Sequence, residues 1–352
     1  MKTSFIATSS ISSASRLSIM KLQAKLAEAQ QEVVSGRHAD VGLKLGYQTG
    51  QSVTLRQELT RLQTITDTNG LVSMRHDASQ AALEGIADGA QTFLNQLLAA
   101  RDGSSGPGVV AVQAEAGLAT LTDALNTSID GAHLFAGINA DVKPLGAYFQ
   151  SPPSAAQTAV TGAFQSAFGM TPSDPGVADI GVADMQAFLQ GAFAGLFDEA
   201  AWSASWSSAS DQNVRNRISS SEMIDASTNA NEQAFRKLAS AYTMVADLNV
   251  EALPGGTYKA LIDEAAQIVS NAIQDLTALQ AGLGTAQERV ANANDHMAIQ
   301  ISVITTHIGA LEAVDPAEAS TRVAQLLTQI ETAYAMTARL QQLSLLNYLP
   351  VK

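Results

Sequence analysis

A seven-residue apolar repeat near the C-terminus constrains the fold more than any other feature of the sequence. Alternating steps of four and three residues from Ile262 to Leu311 reach fifteen positions, and twelve of these are apolar. Such a repeat predicts a helix whose apolar stripe forms a left-handed coiled-coil seam. About 50 residues of helix extend about 75 Å at 1.5 Å per residue, which is too long for one compact globule. The polar seam positions Gln280, Gln287 and Asn294 are predicted to fix the register against a partner helix.

Similar spacing elsewhere predicts further helices, and an apolar composition rich in alanine, the best helix former, supports them. These stripes run through residues 19–33, 55–97, 112–125, 235–248 and 323–343. Gly36 is predicted to end the first helix, and Asp315 is predicted to cap the last one. We therefore predict a mostly α fold: an elongated antiparallel helical bundle or coiled coil formed by both chain ends, with a small mixed α/β insert in the middle.

The middle of the chain differs from its flanks. Residues 141–220 hold more than half of the prolines and both tryptophans, and the helical periodicity fades there. Short strands are predicted at 143–150 and 213–219. The predicted organisation is an inner-domain helix at 1–45, the first half of a helical rod domain at 46–140, a variable surface insert at 141–215, the second half of the rod at 216–312, and a second inner-domain helix at 313–352. A surface insert is expected to be replaceable by a short linker.

The composition excludes several kinds of chemistry. A net charge of −13 repels a phosphate backbone, so nucleic-acid binding is not predicted. The chain has no cysteine, and its five histidines form no HExxH pattern. No apolar run reaches the roughly 18 residues of a membrane-spanning helix. We predict no enzymatic activity, no catalytic, metal-binding or cofactor-binding residues, no cofactor and no membrane insertion.

The apolar stripes at both ends of the chain are the candidate functional residues. A terminal helix must bury its stripe, either on its own domain or on neighbouring subunits. The residues predicted to serve packing and assembly are Ile19, Leu22, Leu26, Val33, Ile301, Ile304, Ile308, Leu311, Val323, Leu326, Ile330, Tyr334, Leu340 and Leu343.

Four short motifs resemble those of the flagellin family. Ser35-Gly36-Arg37 is similar to the family's ending of the N-terminal helix, and residues 126–138 (NTSIDGAHLFAGI) resemble the motif that closes the N-terminal half in its hook–filament junction members. Residues 229–236 (NANEQAFR) and Leu283-Gly284 with Arg289 resemble the returning half. The resemblance covers about 1–140 and 215–352. Residues 38–43 replace the family's usual Ser-Asp-Asp run, which favours the junction members over filament flagellin.

The resemblance implies a structural role outside the cell. Such proteins are exported unfolded through the flagellar type III channel without a cleaved signal peptide, and they polymerise through their terminal helices. The implied partners are further copies of the chain in a ring or tube, hook-side and filament-side flagellar proteins, and an export chaperone in the cytoplasm. Filament flagellin remains the alternative, followed by a cytoplasmic coiled-coil scaffold. A helical enzyme is a further alternative, but no group of residues in the sequence indicates one.

Overall fold

The computed structural model describes residues 8–342, apart from the side chains of residues 8–9, 11–12 and 340–342. The prediction of a mostly α fold is confirmed. The α-helices are α1 (Thr8–Ser35), α2 (Val41–Leu45), α3 (Thr49–Arg101), α4 (Pro107–Leu125), α5 (Ala155–Phe168), α6 (Val182–Phe188), α7 (Glu199–Ser205), α8 (Gln233–Asp247), α9 (Gly255–Glu312) and α10 (Pro316–Gln342). The strands are β1 (Ser128–Ile129), β2 (Ala132–His133), β3 (Arg215–Arg217) and β4 (Met223–Asp225).

The predicted long helix is α9, which contains the whole seven-residue repeat. All fifteen seam positions are buried or half-buried, and Ile262, Val269, Leu276 and Val290 are completely inaccessible to solvent. The prediction that one helix continues from residue 55 to residue 97 is also confirmed, since α3 spans both positions. The seam therefore specifies which side of α9 is covered along its full length.

The chain divides into two compact units. Unit 1 consists of the described residues up to 63 and from 298 onwards, and unit 2 consists of residues 64–297. In unit 1, α1 packs against α10. The two helices are antiparallel, because Gln23 contacts Tyr334 while Glu32, further along α1, contacts Arg322.

Unit 2 is built on the antiparallel pairing of α3 with α9. Gln287 Nε2 donates to Asp77 Oδ1 at 2.7 Å, and Asn69 Nδ2 donates to Asn294 Oδ1 at 2.7 Å. Gln287 and Asn294 are two of the polar seam positions. Both contact α3 as the register prediction requires, because a polar group inside an apolar seam is satisfied at one alignment of the two helices.

The segment 141–215 is packed into the core of unit 2. Its helices α5, α6 and α7 supply buried aromatic residues, among them Phe164, Phe188 and Trp202, to one hydrophobic cluster that also contains Phe93 of α3 and Leu238 of α8. Aromatic residues make up only 5% of the chain, yet this segment concentrates them. The segment therefore shares its apolar core with the helices that flank it in sequence.

Only one of the two strands predicted for this region forms. β3 pairs with β4 in an antiparallel hairpin, in agreement with the strand expected at 213–219. The strand predicted at 143–150 is wrong: within it, Leu145 makes a single isolated bridge to Ser207. Pro144 cannot donate a ladder hydrogen bond, and the Leu145 backbone is instead held by the side-chain amide of Asn126.

Candidate functional site: the terminal helix pair

The inner face of the α1–α10 pair is an apolar seam. Ile19 and Ala29 of α1 are buried, as are Ala319, Leu326 and Ile330 of α10. Leu22, Leu26 and Val323 are half-buried beside them. This arrangement follows from the spacing of three and four residues, which places these side chains on one side of each helix.

The outer face of the same pair also carries large apolar side chains. Leu17 and Met20 on α1 are 51% and 59% exposed, and Met336 on α10 is 61% exposed. A pair of helices can cover only one side of each member. Exposed apolar side chains clustered on an ordered element are typical of a surface that another molecule covers.

The predicted assembly residues fall on both faces. In α9, Ile308 is buried while Ile301, Ile304 and Leu311 are half-buried. Val33 is 37% exposed, and the buried position beside it belongs to Glu32. Tyr334 is 51% exposed but lies on the paired side, where its hydroxyl accepts from Gln23 Nε2 at 3.0 Å. Leu343 and the side chain of Leu340 lie outside the part of the chain that the structure describes.

Glu32 is a buried carboxylate that the apolar pattern did not predict. It is 8% exposed and accepts hydrogen bonds from Arg322 Nη1 at 2.7 Å and from the Ala39 backbone N–H at 3.2 Å. His38 Nδ1 lies 3.4 Å from its Oε1. The carboxylate thus joins the end of α1, the turn after it and the start of α10.

Glu312, the last residue of α9, forms a second buried ionic centre in unit 1. Its side chain is 1% exposed and accepts hydrogen bonds from Arg56 Nε at 2.9 Å, from Arg56 Nη2, and from the Ser52 hydroxyl. The hydrogen bonds from Arg56 lower the pKa of Glu312, against the opposing effect of burial. Arg37 Nη1 lies 3.9 Å away, so the Ser-Gly-Arg motif reaches this centre.

The Ser35-Gly36-Arg37 motif turns the chain at the end of α1. Gly36 has φ +69, a conformation that favours glycine, and the Val314 N–H donates to its carbonyl at 3.0 Å. Arg37 forms an isolated antiparallel bridge with Ala313. On the other side of this bridge, Asp315 caps α10 by accepting from the Ala317 N–H at 2.8 Å, as the sequence predicts. The two helix ends are thereby joined in one turn structure.

The motifs of unit 2 hold the segment 141–215 against the helical core. In the motif 126–138, Asp130 (φ 52) and Gly131 (φ 80) form the two-residue turn between β1 and β2. The Phe135 carbonyl accepts from the Ala230 N–H at 2.7 Å, which brings the motif 229–236 beside it. Asn231 in turn accepts from Trp202 Nε1 at 3.1 Å.

Gly137, in the same motif, provides a test of this arrangement. Its φ is +62, and a Cβ would lie 2.4 Å from the Ser210 carbonyl oxygen and 2.6 Å from that of Gln212. We expect Gly137→Ala to lower the free energy of unfolding of unit 2 by about 2 kcal/mol, since positive φ and backbone overlap act together. The matched control is Gly169→Ala, whose φ is +71 and whose Cβ would be in open space. Gly169→Ala should lower the free energy of unfolding by about 1 kcal/mol, with both variants measured by urea unfolding. Equal effects would show that the contact with Ser210 and Gln212 is unimportant.

Residues 8–342 hold neither a metal-ligand cluster nor a helix suited to crossing a membrane. These residues contain no group of three or more His, Asp or Glu side chains placed to hold a metal ion. Within the same residues, no helix is both long and apolar enough to cross a membrane. Burial lowers the pKa of His76 on α3, and its ring lies beside the β4 backbone.

Comparison with known proteins places both halves of the chain in one group. The family model for the N-terminal helical region of bacterial flagellin matches residues 6–140, and that for the C-terminal helical region matches residues 266–349. Among solved structures, one assigned to a flagellar hook-associated protein of Vibrio parahaemolyticus is similar in fold. Its TM-score is 0.52 at 8% identity, over 75% of this chain and 97% of that chain. No curated protein matches the chain.

Proposed function

The chain belongs to the bacterial flagellin family, and we propose that it is an axial structural protein of the flagellum that joins the hook to the filament. The two helical regions of that family together match well over half of the chain. The proposal includes export without a cleaved signal peptide and a final location outside the cell. It assigns no reaction to the protein.

The observation that carries the proposal is the unpaired outer face of the α1–α10 pair. Leu17, Met20 and Met336 are more than half exposed, and a further helix could cover them. Covering apolar surface stabilises an assembly by about 25 cal/mol per Å². Neighbouring copies that pack on this face would form a ring or tube of terminal helices, with hook-side and filament-side flagellar proteins above and below, and an export chaperone would cover the same face before export.

Filament flagellin is the second candidate function, because both classes carry the two helical regions. The residues after the Ser-Gly-Arg motif favour the junction role. There the chain forms the short helix α2, capped by Asp40, whose Oδ1 accepts from the Leu43 N–H at 2.8 Å. Leu43 in α2 and Tyr47 just after it are 85% and 93% exposed. We propose that they contact a flagellar protein of a different kind.

A deletion strain separates the two roles. Cells that lack the chain are expected to build hooks without filaments and to release filament subunits into the medium, because nothing joins the two lattices. Electron microscopy of the cells and gel analysis of the medium measure this. Cells with hooks and no secreted filament subunits would instead support the filament role.

Complementation of the same strain tests the terminal helix pair. The wild-type chain should restore filaments, whereas Leu17→Asp should be exported and folded but should not restore them, because a carboxylate would have to be buried between subunits. Gln31→Asp, at an exposed polar position of the same helix, is the matched control and should restore them. Full motility with Leu17→Asp would show that this face is not an assembly contact.

A further inference from the structure

Unit 2 contains a cleft that neither the family nor the proposed assembly explains. It has a volume of about 520 Å³ and lies between the β3–β4 hairpin, the start of α8 and the middle of α9. Its apolar lining comes from Ile224 of β4 and from Leu279 and Leu283 of α9. Thr228 and Glu232 lie on its polar side. The cleft therefore combines an apolar wall with a small polar region.

The Thr228 hydroxyl is a buried polar group in this cleft. The residue is 5% exposed, and its Oγ1 has no hydrogen-bond partner among the residues that the structure describes. The adjacent Ser227 differs, because its hydroxyl accepts from the Val214 N–H at 2.9 Å. A buried hydroxyl without a hydrogen bond is unfavourable, because it has lost its contacts with water and gained no partner. A ligand that hydrogen-bonds to Thr228 would recover that free energy.

Glu232 supplies the charge of the cleft. Its side chain is half-buried, and within residues 8–342 it forms no ion pair and accepts no hydrogen bond from another side chain. Burial raises its pKa, although the positive charge of Arg236 opposes that effect. Arg236 points elsewhere: its Nε donates to the Asn231 carbonyl at 3.0 Å and its Nη1 to the Phe197 carbonyl at 3.0 Å.

The other charged side chains that line the cleft are already paired. Asp275 accepts from Lys237 Nζ at 2.7 Å, and Arg289 Nη2 lies 2.7 Å from Glu222 Oε1. Asp225 lies 3.6 Å from Arg215 Nε. Among the charged residues that line the cleft, Glu232 is therefore the one without an ion pair, and its charge is negative.

We propose that this cleft binds an alkylguanidinium group, the side chain of an arginine presented by another protein chain. The aliphatic stem would lie on Leu279 and Leu283, as the stems of long cationic side chains do on apolar surface. The guanidinium would donate to the Glu232 carboxylate and to Thr228 Oγ1. A guanidinium carries five N–H donors in a planar fork and so suits a site with two acceptors better than an ammonium does.

The proposal concerns unit 2 alone and holds whether or not the chain joins hook to filament. The arginine can come from a second copy of the chain or from a different protein. Both sources present the same chemistry, and they are distinguished below by self-association.

The test uses the full chain with labelled threonine methyl groups and titrates it with Nα-acetyl-arginine methylamide. The Thr228 methyl signal is expected to shift in a saturable way. Nα-acetyl-citrulline methylamide, which has the same shape without the charge, should bind at least about tenfold more weakly, since a charge-assisted hydrogen bond is lost. Equal binding of the two compounds, or no binding of either, would overturn the proposal.

Two variants assign the effect to the cleft. Glu232→Gln should reduce arginine binding to the citrulline level, with an unchanged helical circular dichroism spectrum. Glu288→Gln removes the same charge from an exposed position of α9 and should bind like the wild type. If Glu232→Gln binds arginine as well as Glu288→Gln does, the site lies elsewhere.

Sedimentation then identifies the source of the arginine. If a second copy supplies it, the arginine derivative should weaken self-association of the wild type and leave that of Glu232→Gln unchanged. If a different protein supplies it, self-association should not respond to the compound, although the Thr228 signal does.

Discussion

Trp202→Ala is expected to lower the free energy of unfolding of unit 2 by about 3–5 kcal/mol, the range for removal of a buried aromatic side chain. Trp202 is fully buried, stacks on Trp206 with ring centroids 5.0 Å apart, and donates from its indole nitrogen to Asn231. The substitution leaves a cavity and an amide without its donor. Urea unfolding followed by circular dichroism measures the effect.

The control for Trp202→Ala is Val112→Ala, at a position that is 67% exposed on α4. It should change the free energy of unfolding by less than about 0.5 kcal/mol. If Trp202→Ala is equally mild, then the segment 141–215 does not share the core of the helices around it.

This packing changes what is expected of the segment 141–215. Its composition suggests a surface insert that a linker could replace. In the structure, Tyr148 donates to Asp247 of α8 at 2.7 Å, and Phe188 and Phe193 belong to the same cluster as Leu238. Removing the segment would expose that cluster, so we expect a linker in its place to destabilise α8 and the adjoining part of α9.

Arg56→Ala is expected to lower the free energy of unfolding of unit 1 by about 3 kcal/mol. It removes the main partner of Glu312, and breaking a buried ion pair from one side costs about 3–5 kcal/mol. We place the effect at the lower end because the Arg56 side chain is 44% exposed, so water and Arg37 can partly replace it. Thermal unfolding of the full chain at neutral pH measures the loss.

Arg61→Ala is the matched control on the same helix. Arg61 pairs with Glu58 three residues earlier, and both side chains are about 40% exposed. Such a pair contributes at most about 0.5 kcal/mol. If Arg61→Ala costs as much as Arg56→Ala, then the burial of Glu312 is not the cause.

The pH dependence gives an independent check on Glu312. The hydrogen bonds from Arg56 hold its pKa in the folded state below the ordinary value of 4.5. The stabilisation is therefore fully present above about pH 4.5 and is lost as the pH falls through the folded pKa. The difference in stability between the wild type and Arg56→Ala should shrink over that acidic range. A difference that stays constant down to low pH would contradict the assignment.

Local pattern was sufficient to predict the helices and much of their packing. The seven-residue repeat predicted α9 and the covered side of it, because apolar side chains at that spacing share one face whatever the partner is. The same repeat marked Gln287 and Asn294 as register positions, and both contact α3. The cap of α10 at Asp315 could be predicted from the local sequence, since capping involves residues only two or three positions apart.

The tertiary structure alone decided where the charges and the aromatic residues are buried. Glu32 and Glu312 lie near helix ends, where acidic side chains are usually exposed to solvent. Here they are buried and paired with Arg322 and Arg56. Trp202 lies in a segment without clear periodicity, so its partner Asn231 could not be predicted from it. Periodicity records which side of one helix is covered. It does not record which distant residue covers it, because that depends on how segments far apart in the chain meet after folding.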